Sequence, residues 1–115
     1  MKIAIIGSRS FDNYGKLESF VLSRISLSDI SEVVSGGARG ADTLAALFAE
    51  VHNVPLRLFP AEWDSYGKQA GFLRNQKIID YCDKVFAFWD GSSKGTSHSI
   101  ELAKNAGKPT YLFLF

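Results

Sequence analysis

The residues of this chain whose types and spacing best suit chemistry form three glycine-containing turns. Their members are Gly7, Ser8 and Arg9 in the first turn, Ser35, Gly36, Gly37, Ala38, Arg39 and Gly40 in the second, and Asp90, Gly91, Ser92, Ser93, Lys94, Gly95 and Thr96 in the third. Glycine lets a bound group approach the backbone closely, and the N-terminus of a following helix offers unpaired N–H donors to an anion. The turns therefore predict a site for a phosphate-bearing small molecule, most simply a nucleotide.

The turn from Ser35 to Gly40 gives the strongest signal, because two adjacent glycines and Arg39-Gly40 precede a predicted helix. Such a turn can aim its amides at an anion, although a tight strand-to-helix turn also needs glycine for its geometry alone. Asp42 lies in the first turn of that helix. Its carboxylate suits two roles equally, as a helix cap or as an acceptor for ribose hydroxyls.

The other two turns add hydroxyl and basic groups. Thr96 opens a predicted helix, so its hydroxyl can both cap the helix and contact a phosphate, while Lys94 reads as a solvated loop lysine. The guanidinium of Arg9 suits a bidentate phosphate contact. The alternative for Arg9 is a surface ion pair with Asp12.

A long connection between predicted elements, residues 63–75, is the fourth candidate region, because long connections in small domains are often functional. Trp63 and Tyr66 offer surfaces for stacking on a base, and the polar candidates are Lys68, Arg74 and Asn75. The alternative is a lid whose aromatic rings cover the core. Trp89, beside Asp90, is predicted either to flank a base or to fill a gap between helices.

Several classes of site are disfavoured. His52 and His98 lack metal-ligand spacing, so no metal site is predicted. The chain has no GxxxxGK[ST] motif, which excludes a P-loop by motif, and no GxGxxG follows the first predicted strand. No cofactor is expected, and no residue is assigned a catalytic role from its spacing alone.

Alternation of apolar runs with helical periodicity predicts the elements that must position these residues. The predicted strands are Lys2–Ile6, Glu32–Val34, Leu56–Phe59, Lys84–Trp89 and Pro109–Phe115, and the predicted helices run through Leu17–Ile25, Ala41–Val51, Phe72–Cys82 and Ser97–Ala106. This order is typical of an α/β fold, with a parallel sheet of about five strands and helices on both faces. The turns would then meet at the carboxyl edge of the sheet, where open α/β folds bind ligands.

Composition is consistent with one soluble domain over residues 1–115, since domains commonly have about 100 to 200 residues. The formal net charge of +1 gives no charge-based case for duplex nucleic acid or a membrane surface. Cys82 is the only cysteine, so no internal disulfide is possible, and a cytoplasmic location is expected. No apolar run is long enough for a membrane span or a signal peptide.

Five motifs in order, GSRSF, SGGARGAD, PAEWDSYGKQAGFLRN, FWDG and SKGT, resemble the YspA/YpsA-related SLOG family over nearly the whole chain. That family belongs to the superfamily of the Lonely Guy and DprA/Smf proteins. The resemblance implies a compact, Rossmann-like SLOG domain that binds a nucleotide or an NAD-derived molecule such as an ADP-ribose derivative at the glycine turns. It also implies a homodimer and a role as a sensor, in some members for antiviral defence.

The Lonely Guy enzymes cleave the N-glycosidic bond of nucleoside monophosphates and carry PGGxGTxxE together with a separate arginine. Gly95 and Thr96 match that motif here, Ser99 stands at the glutamate position, and Arg74 is the candidate arginine. An oxocarbenium-like transition state requires a nearby carboxylate, so the serine favours binding over catalysis. Asp42 or Asp90 would have to substitute for the glutamate in an enzyme.

These observations favour a protein that binds a nucleotide-type signal, either sensing it through a separate partner or sequestering it, in antiviral defence or in its evasion. The first alternative is a nucleotide N-glycosidase or phosphoribohydrolase. The second is single-stranded nucleic-acid binding, as in DprA/Smf proteins. The near-neutral charge argues against this second alternative, because neutralising a nucleic-acid backbone requires a basic track.

Overall fold

The computed structural model describes residues 1–115 throughout. The chain forms five strands and five α-helices. Their bounds are β1 Lys2–Gly7, α1 Tyr14–Leu22, β2 Glu32–Ser35, α2 Ala41–Val51, β3 Leu56–Leu58, α3 Trp63–Tyr66, α4 Ala70–Tyr81, β4 Lys84–Trp89, α5 Lys94–Asn105 and β5 Thr110–Leu114, with 3₁₀ turns at Leu27–Asp29 and Gly67–Gln69. Strands and helices alternate except where α3 and α4 follow one another between β3 and β4.

The five strands form one parallel sheet in the order β3-β2-β1-β4-β5, which confirms the predicted α/β fold class. The two central strands consist of apolar runs whose inner residues are buried on both faces, as parallel sheets require. The chain moves from β1 outward to β3 and then returns to the other side of β1. The order therefore reverses between β1 and β4, which makes this pair the topological switch point of the sheet.

Alternating side chains of the central strands divide the core into two clusters. Ile3, Ile5 and Phe86 point to the face that α1 and α2 cover, where Leu17 and Phe48 join them. On the other face α4 and α5 pack through Ile78, Ile79, Ile100 and Ala103, against Ala4, Ile6, Val85 and Ala87. Both faces of the sheet are thus covered, and the helix N-termini that follow β2 and β4 lie at its carboxyl edge.

Three predicted boundaries were wrong. Helix α1 ends at Leu22, and Ile25 is buried from the turn that follows it. Helix α4 begins at Ala70 rather than Phe72, and the connection before it contains α3 and a 3₁₀ turn. Helix α5 begins at Lys94 rather than Ser97, so Gly95 and Thr96 belong to its first turn instead of a loop. No helix is both long enough and apolar enough to cross a membrane.

Candidate functional site

A cavity of about 530 Å³ opens at the carboxyl ends of β1 and β4, within the size range of small-molecule pockets. We refer to it as the switch-point cavity. It is lined by Ile6, Gly7, Ser8, Arg9, Ser10, Ala38, Asp42, Trp63, Lys68, Gly71, Phe72, Arg74, Asn75, Ile78, Asp90, Ser93, Gly95, Thr96 and Ser99. The predicted turns thus meet at one edge of the sheet, joined by one face of α4.

Two of the glycines serve close packing between the turns. A Cβ on Gly7 would lie 2.3 Å from the carbonyl oxygen of Phe88, and one on Gly40 would lie 2.5 Å from those of Ser8 and Arg9. Gly40 also has a φ of +76°, a conformation that favours glycine. These glycines let the first turn approach the end of β4 and the start of α2 closely, which brings the segments around the cavity together.

Gly36 makes room for an arginine of α4. A Cβ there would lie 2.2 Å from Nη1 of Arg74, which donates to the Gly36 carbonyl oxygen at 2.8 Å. Nε of Arg74 donates to Oδ1 of Asn75 at 3.1 Å, and Nδ2 of Asn75 donates to the Gly95 carbonyl oxygen at 3.2 Å. His98 Nδ1 lies 3.3 Å from Asn75 Nδ2. This network ties the second glycine turn to the start of α5 through α4.

Asp42 is a buried carboxylate at the N-terminal end of α2 and lines the cavity. Its Oδ2 accepts from the amide of Ala38 at 3.1 Å, so it already occupies the anion position of the second glycine turn. Burial raises the pKa of Asp42 above its ordinary value, against the lowering effects of the Ala38 amide and the nearby Arg74 charge. Burial likewise lowers the pKa of Arg74, which the Asp42 carboxylate partly offsets.

Asp90 is exposed and organises the turn before α5. Its Oδ1 accepts from the amides of Ser92 at 2.9 Å and Ser93 at 2.8 Å, and these two bonds hold its pKa below the ordinary value. The amide of Asp90 donates to Ser8 Oγ at 3.2 Å, which ties this turn to the first. Asp90 thus remains ionised at neutral pH and fixes the position of the α5 N-terminus.

The N-terminus of α5 lacks a side-chain cap. Ser93 occupies the N-cap position, yet its side chain accepts no bond from the first-turn amides; its hydroxyl lies 3.3 Å from Thr96 Oγ1. The prediction that Thr96 caps this helix was therefore wrong, because the helix begins earlier, at Lys94. An uncapped first turn presents amides and a positive dipole end toward an anion.

Gly95 differs from the packing glycines. It lies in the first turn of α5 without a positive φ, and no atom beyond its chain neighbours and the backbone of its own helix lies within 4 Å of the position a Cβ would take. Neither the local backbone nor the packing requires glycine there. Further along the same helix, Ser99 is buried and lines the cavity, whereas Glu101 is exposed.

The aromatic candidates separate into two groups. Trp63 and Phe72 line the cavity while staying about half exposed, at 53% and 48%. Tyr66 is exposed and does not line the cavity. Trp89 also lies outside the lining: its indole N–H donates to the Ser93 carbonyl oxygen at 3.0 Å, and its ring packs on the α4/α5 core cluster.

A second, smaller space of about 320 Å³ adjoins the cavity, and we refer to it as the arginine groove. It shares Arg9, Ala38, Trp63 and Arg74 with the cavity. Its remaining lining residues are Gly36, Gly37, Arg39, Pro60 and Ala61.

Most of the predicted site residues line one of the two spaces. The cavity takes in Gly7, Ser8, Arg9, Asp42, Trp63, Lys68, Arg74, Asn75, Asp90, Gly95 and Thr96, and the groove adds Gly36, Gly37 and Arg39. Ser35, Gly40, Trp89, Gly91 and Ser92 line neither. Ser35 is fully buried, and its hydroxyl acts on the Asp42 carboxylate by lowering the pKa of that group.

Sequence reasoning missed two lining residues that helical spacing could have found. Gly71 and Ile78 stand at i−3 and i+4 from the predicted Arg74, on one face of α4. Ser10 and Ala38 carry no such signal. No group of three or more His, Cys, Asp or Glu side chains is arranged to hold a metal ion.

Known proteins resemble the chain in sequence and in fold. The gene 61 protein of Mycobacterium phage D29 is 42% identical over 87 residues, which is 70% of each chain. The structure of DNA processing protein A from Helicobacter pylori, described for its single-stranded DNA binding mode, superposes with a TM-score of 0.66 at 23% identity. That match covers 97% of this chain and 64% of the other, so the chain spans under two thirds of that protein and the likeness shows a shared fold.

The family is shown by a direct match. The model of the YspA, cpYpsA-related SLOG family (YAcAr) matches residues 1–66, more than half of the chain. Those residues include the first two glycine turns, with Gly7, Arg9, Arg39 and Asp42. The chain belongs to the YspA, cpYpsA-related SLOG family.

Proposed function

We propose that residues 1–115 form one SLOG-like domain that binds a nucleotide or an NAD-derived small molecule of ADP-ribose type in the switch-point cavity. One observation carries the proposal: Gly95 faces the cavity from the uncapped N-terminus of α5 and has no structural reason to be glycine. A phosphoryl group approaching those amides gives the missing reason, because a Cβ at this position would stand in its path.

The N-terminus of α5 suits a phosphoryl group better than that of α2. At α2 the Asp42 carboxylate already accepts from the Ala38 amide, so the anion position of that turn is filled. At α5 the Asp90 carboxylate also lies close, but it accepts from the amides of Ser92 and the N-cap residue Ser93, which precede the helix. The amides of the first helical turn are left for the ligand.

The rest of a nucleotide finds matching groups around this position. Trp63 and Phe72 offer exposed ring faces at the cavity mouth, on which a base can stack. Asp42 and Asp90 line the same cavity, and their carboxylates can accept from ribose hydroxyls. The phosphoryl group, the ribose and the base of a nucleotide would thus each have a separate set of contacts in the cavity.

Calorimetric titration against nucleoside monophosphates, NAD, ADP-ribose and cyclic ADP-ribose isomers tests the proposal, with mass spectrometry of the recovered ligand. We expect micromolar or tighter binding of at least one adenine nucleotide, returned intact. Binding no tighter than millimolar across the panel would overturn it. Release of a free base and a ribose phosphate would instead support the enzyme described next.

An N-glycosidase or phosphoribohydrolase of Lonely Guy type is a second candidate, favoured by one feature of the cavity. Ser99 stands where that motif has glutamate, but Asp42 supplies a buried carboxylate with a raised pKa in the same cavity, near Arg74. Such an enzyme requires turnover, and Asp42→Asn would abolish turnover while leaving binding in place. Unchanged turnover in Asp42→Asn would exclude Asp42 as the catalytic carboxylate.

Single-stranded DNA binding is a third candidate, favoured by the fold likeness to DNA processing protein A. Exposed Trp63 and Phe72 beside three arginines are the kinds of groups that bind bases and phosphates. The net charge of +1 argues against a long track. A steep fall of affinity with salt, spread over several nucleotides, would favour this candidate over a small ligand.

In the cell, we propose that the chain acts in the cytoplasm as a homodimer that senses or sequesters its nucleotide signal, in antiviral defence or in its evasion. The similarity to a phage protein supports sequestration as the form to test first. Sedimentation velocity with and without ADP-ribose tests the dimer, because a sedimentation coefficient of a monomer at all concentrations would exclude it.

A further inference from the structure

The arginine groove has a different charge from the cavity beside it. The cavity combines Arg9, Lys68 and Arg74 with the carboxylates of Asp42 and Asp90. The groove combines Arg9, Arg39 and Arg74 with no acidic side chain at all. The groove is thus the more electropositive of the two spaces, although the whole chain carries a formal net charge of only +1.

The three arginines of the groove come from three separate segments, and none of them lies within salt-bridge distance of a carboxylate, since the one such contact in the chain joins His52 to Glu18. Arg74 has the Asp42 carboxylate nearby, whereas Arg9 and Arg39 have no such neighbour in the groove lining. Arg74 uses Nε and Nη1 to bind Asn75 and Gly36 and keeps donors free, because a guanidinium has five N–H groups. Burial lowers the pKa of Arg74, the nearby Asp42 carboxylate partly offsets this, and the Arg9 charge lowers the pKa further.

We propose that the arginine groove holds a second phosphoryl group of the same small molecule whose first phosphoryl group lies on the N-terminus of α5. Arg9, Ala38, Trp63 and Arg74 line both spaces, so one molecule can extend from the cavity into the groove. Unpaired guanidinium groups bind phosphoryl oxygens through strong, charge-assisted hydrogen bonds. The ligand class is therefore a nucleotide with two phosphoryl groups, as in pyrophosphate-linked molecules, and this inference rests on the function proposed above.

Arg39 is the residue that separates the two subsites experimentally. It is exposed, and it lines the groove but not the cavity, so Arg39→Gln leaves the first phosphoryl position intact. Arg24→Gln is the matched control, because Arg24 is also exposed but lies near Met1, outside both spaces. Both variants remove one positive charge.

Calorimetric titration of the wild type and both variants with AMP and with ADP-ribose tests the inference. We expect Arg39→Gln to weaken ADP-ribose binding about 10-fold while leaving AMP binding unchanged, since a charge-assisted hydrogen bond is typically worth a factor of this order. Arg24→Gln should bind both ligands like the wild type.

Four outcomes would contradict the inference. Equal weakening of AMP and ADP-ribose, or no weakening of either, would show that Arg39 does not define a second subsite. A single-stranded oligonucleotide that binds more tightly than ADP-ribose and depends on Arg39 would assign the groove to nucleic acid. Failure of the wild type to bind either nucleotide would overturn the proposed function itself, and the inference with it.

Discussion

At the scale of single residues, four glycines near the cavity have two different roles. Gly7, Gly36 and Gly40 are required by the protein's own packing, because a Cβ at each would overlap a neighbouring atom. Gly95 faces open space in a regular helical turn. The glycine-rich pattern thus combines residues that build the cavity with one that is free to admit a ligand.

Replacing Gly95 with alanine should separate stability from binding. Alanine is favoured over glycine in a helix by roughly 0.5–1 kcal/mol, so the free energy of unfolding should not fall. The added methyl group would stand between the α5 amides and a phosphoryl group, and ADP-ribose affinity should drop at least 10-fold. Urea unfolding and calorimetry measure the two effects.

Gly15→Ala provides the matched control. Gly15 holds the second position of α1, as Gly95 does in α5, and a Cβ there would make only an ordinary 3.6 Å contact with Asn13 Oδ1. The Gly15→Ala variant should be at least as stable as the wild type and should bind ADP-ribose with unchanged affinity. If Gly95→Ala binds as well as Gly15→Ala, the role assigned to Gly95 is wrong.

The buried carboxylate of Asp42 predicts a distinct pH dependence. Burial raises the pKa of Asp42 in the folded protein, so ionisation of this carboxylate opposes folding. The protonated carboxyl group therefore contributes most to stability at low pH, and this contribution is lost as the pH rises through the folded-state pKa. Asp42→Asn, which can still accept from the Ala38 amide, should be more stable than the wild type at pH 7. The difference should vanish below about pH 3.9.

Asp90→Asn is the control of opposite sign. The pKa of Asp90 is lowered by the amides of Ser92 and Ser93, so its charge stabilises the fold above its unfolded pKa and loses this effect as the pH falls. This variant should be less stable than the wild type at pH 7. Urea unfolding of both variants across pH decides the matter, and an Asp42→Asn protein that loses stability at pH 7 would contradict the assignment.

At the scale of elements, the cavity depends on close contact between the ends of β1 and β4 and the turn before α2. Gly7→Ala and Gly40→Ala should each lower the free energy of unfolding by about 1–3 kcal/mol, because backbone must shift to admit the methyl group. Thermal and urea unfolding measure this loss. An unchanged stability for either variant would show that the segments do not touch as described.

The elements themselves were largely predictable, and the failures have local causes. Continuous apolar runs identified β1 and β4 because both faces of these strands are buried. The start of α5 was placed too late because Gly95 reads as a loop residue, whereas Asp90 fixes the turn through Ser92 and Ser93 amides. Helix α3 has no side-chain N-cap and only four residues, so its presence could not be predicted from the sequence.

The parts of the candidate site that lie in turns at strand ends could be predicted from the sequence. The parts that depend on side-chain contacts between distant segments could not. The meeting of the glycine turns follows from a parallel sheet, since all strands end at one edge. That Gly36 seats Arg74, or that Trp89 binds the Ser93 carbonyl instead of lining the cavity, depends on side-chain packing between distant segments. Local sequence patterns carry no such information.

At the scale of the whole molecule, a nearly neutral chain concentrates three arginines at one edge of its sheet. Arg9, Arg39 and Arg74 meet there, while the cavity beside them carries Asp42 and Asp90. This distribution favours a compact anionic ligand over an extended nucleic-acid backbone, because the charge is confined to one groove.

An NMR titration of the amide-labelled protein with ADP-ribose tests the central claim most directly, because it reports where a ligand binds. The account predicts the largest shifts at the amides of Gly95 and Thr96, with smaller ones at Arg9, Arg39 and Trp63, and none around Met1 and Arg24 at the opposite edge. Shifts confined to another surface, or none at millimolar ADP-ribose, would contradict it.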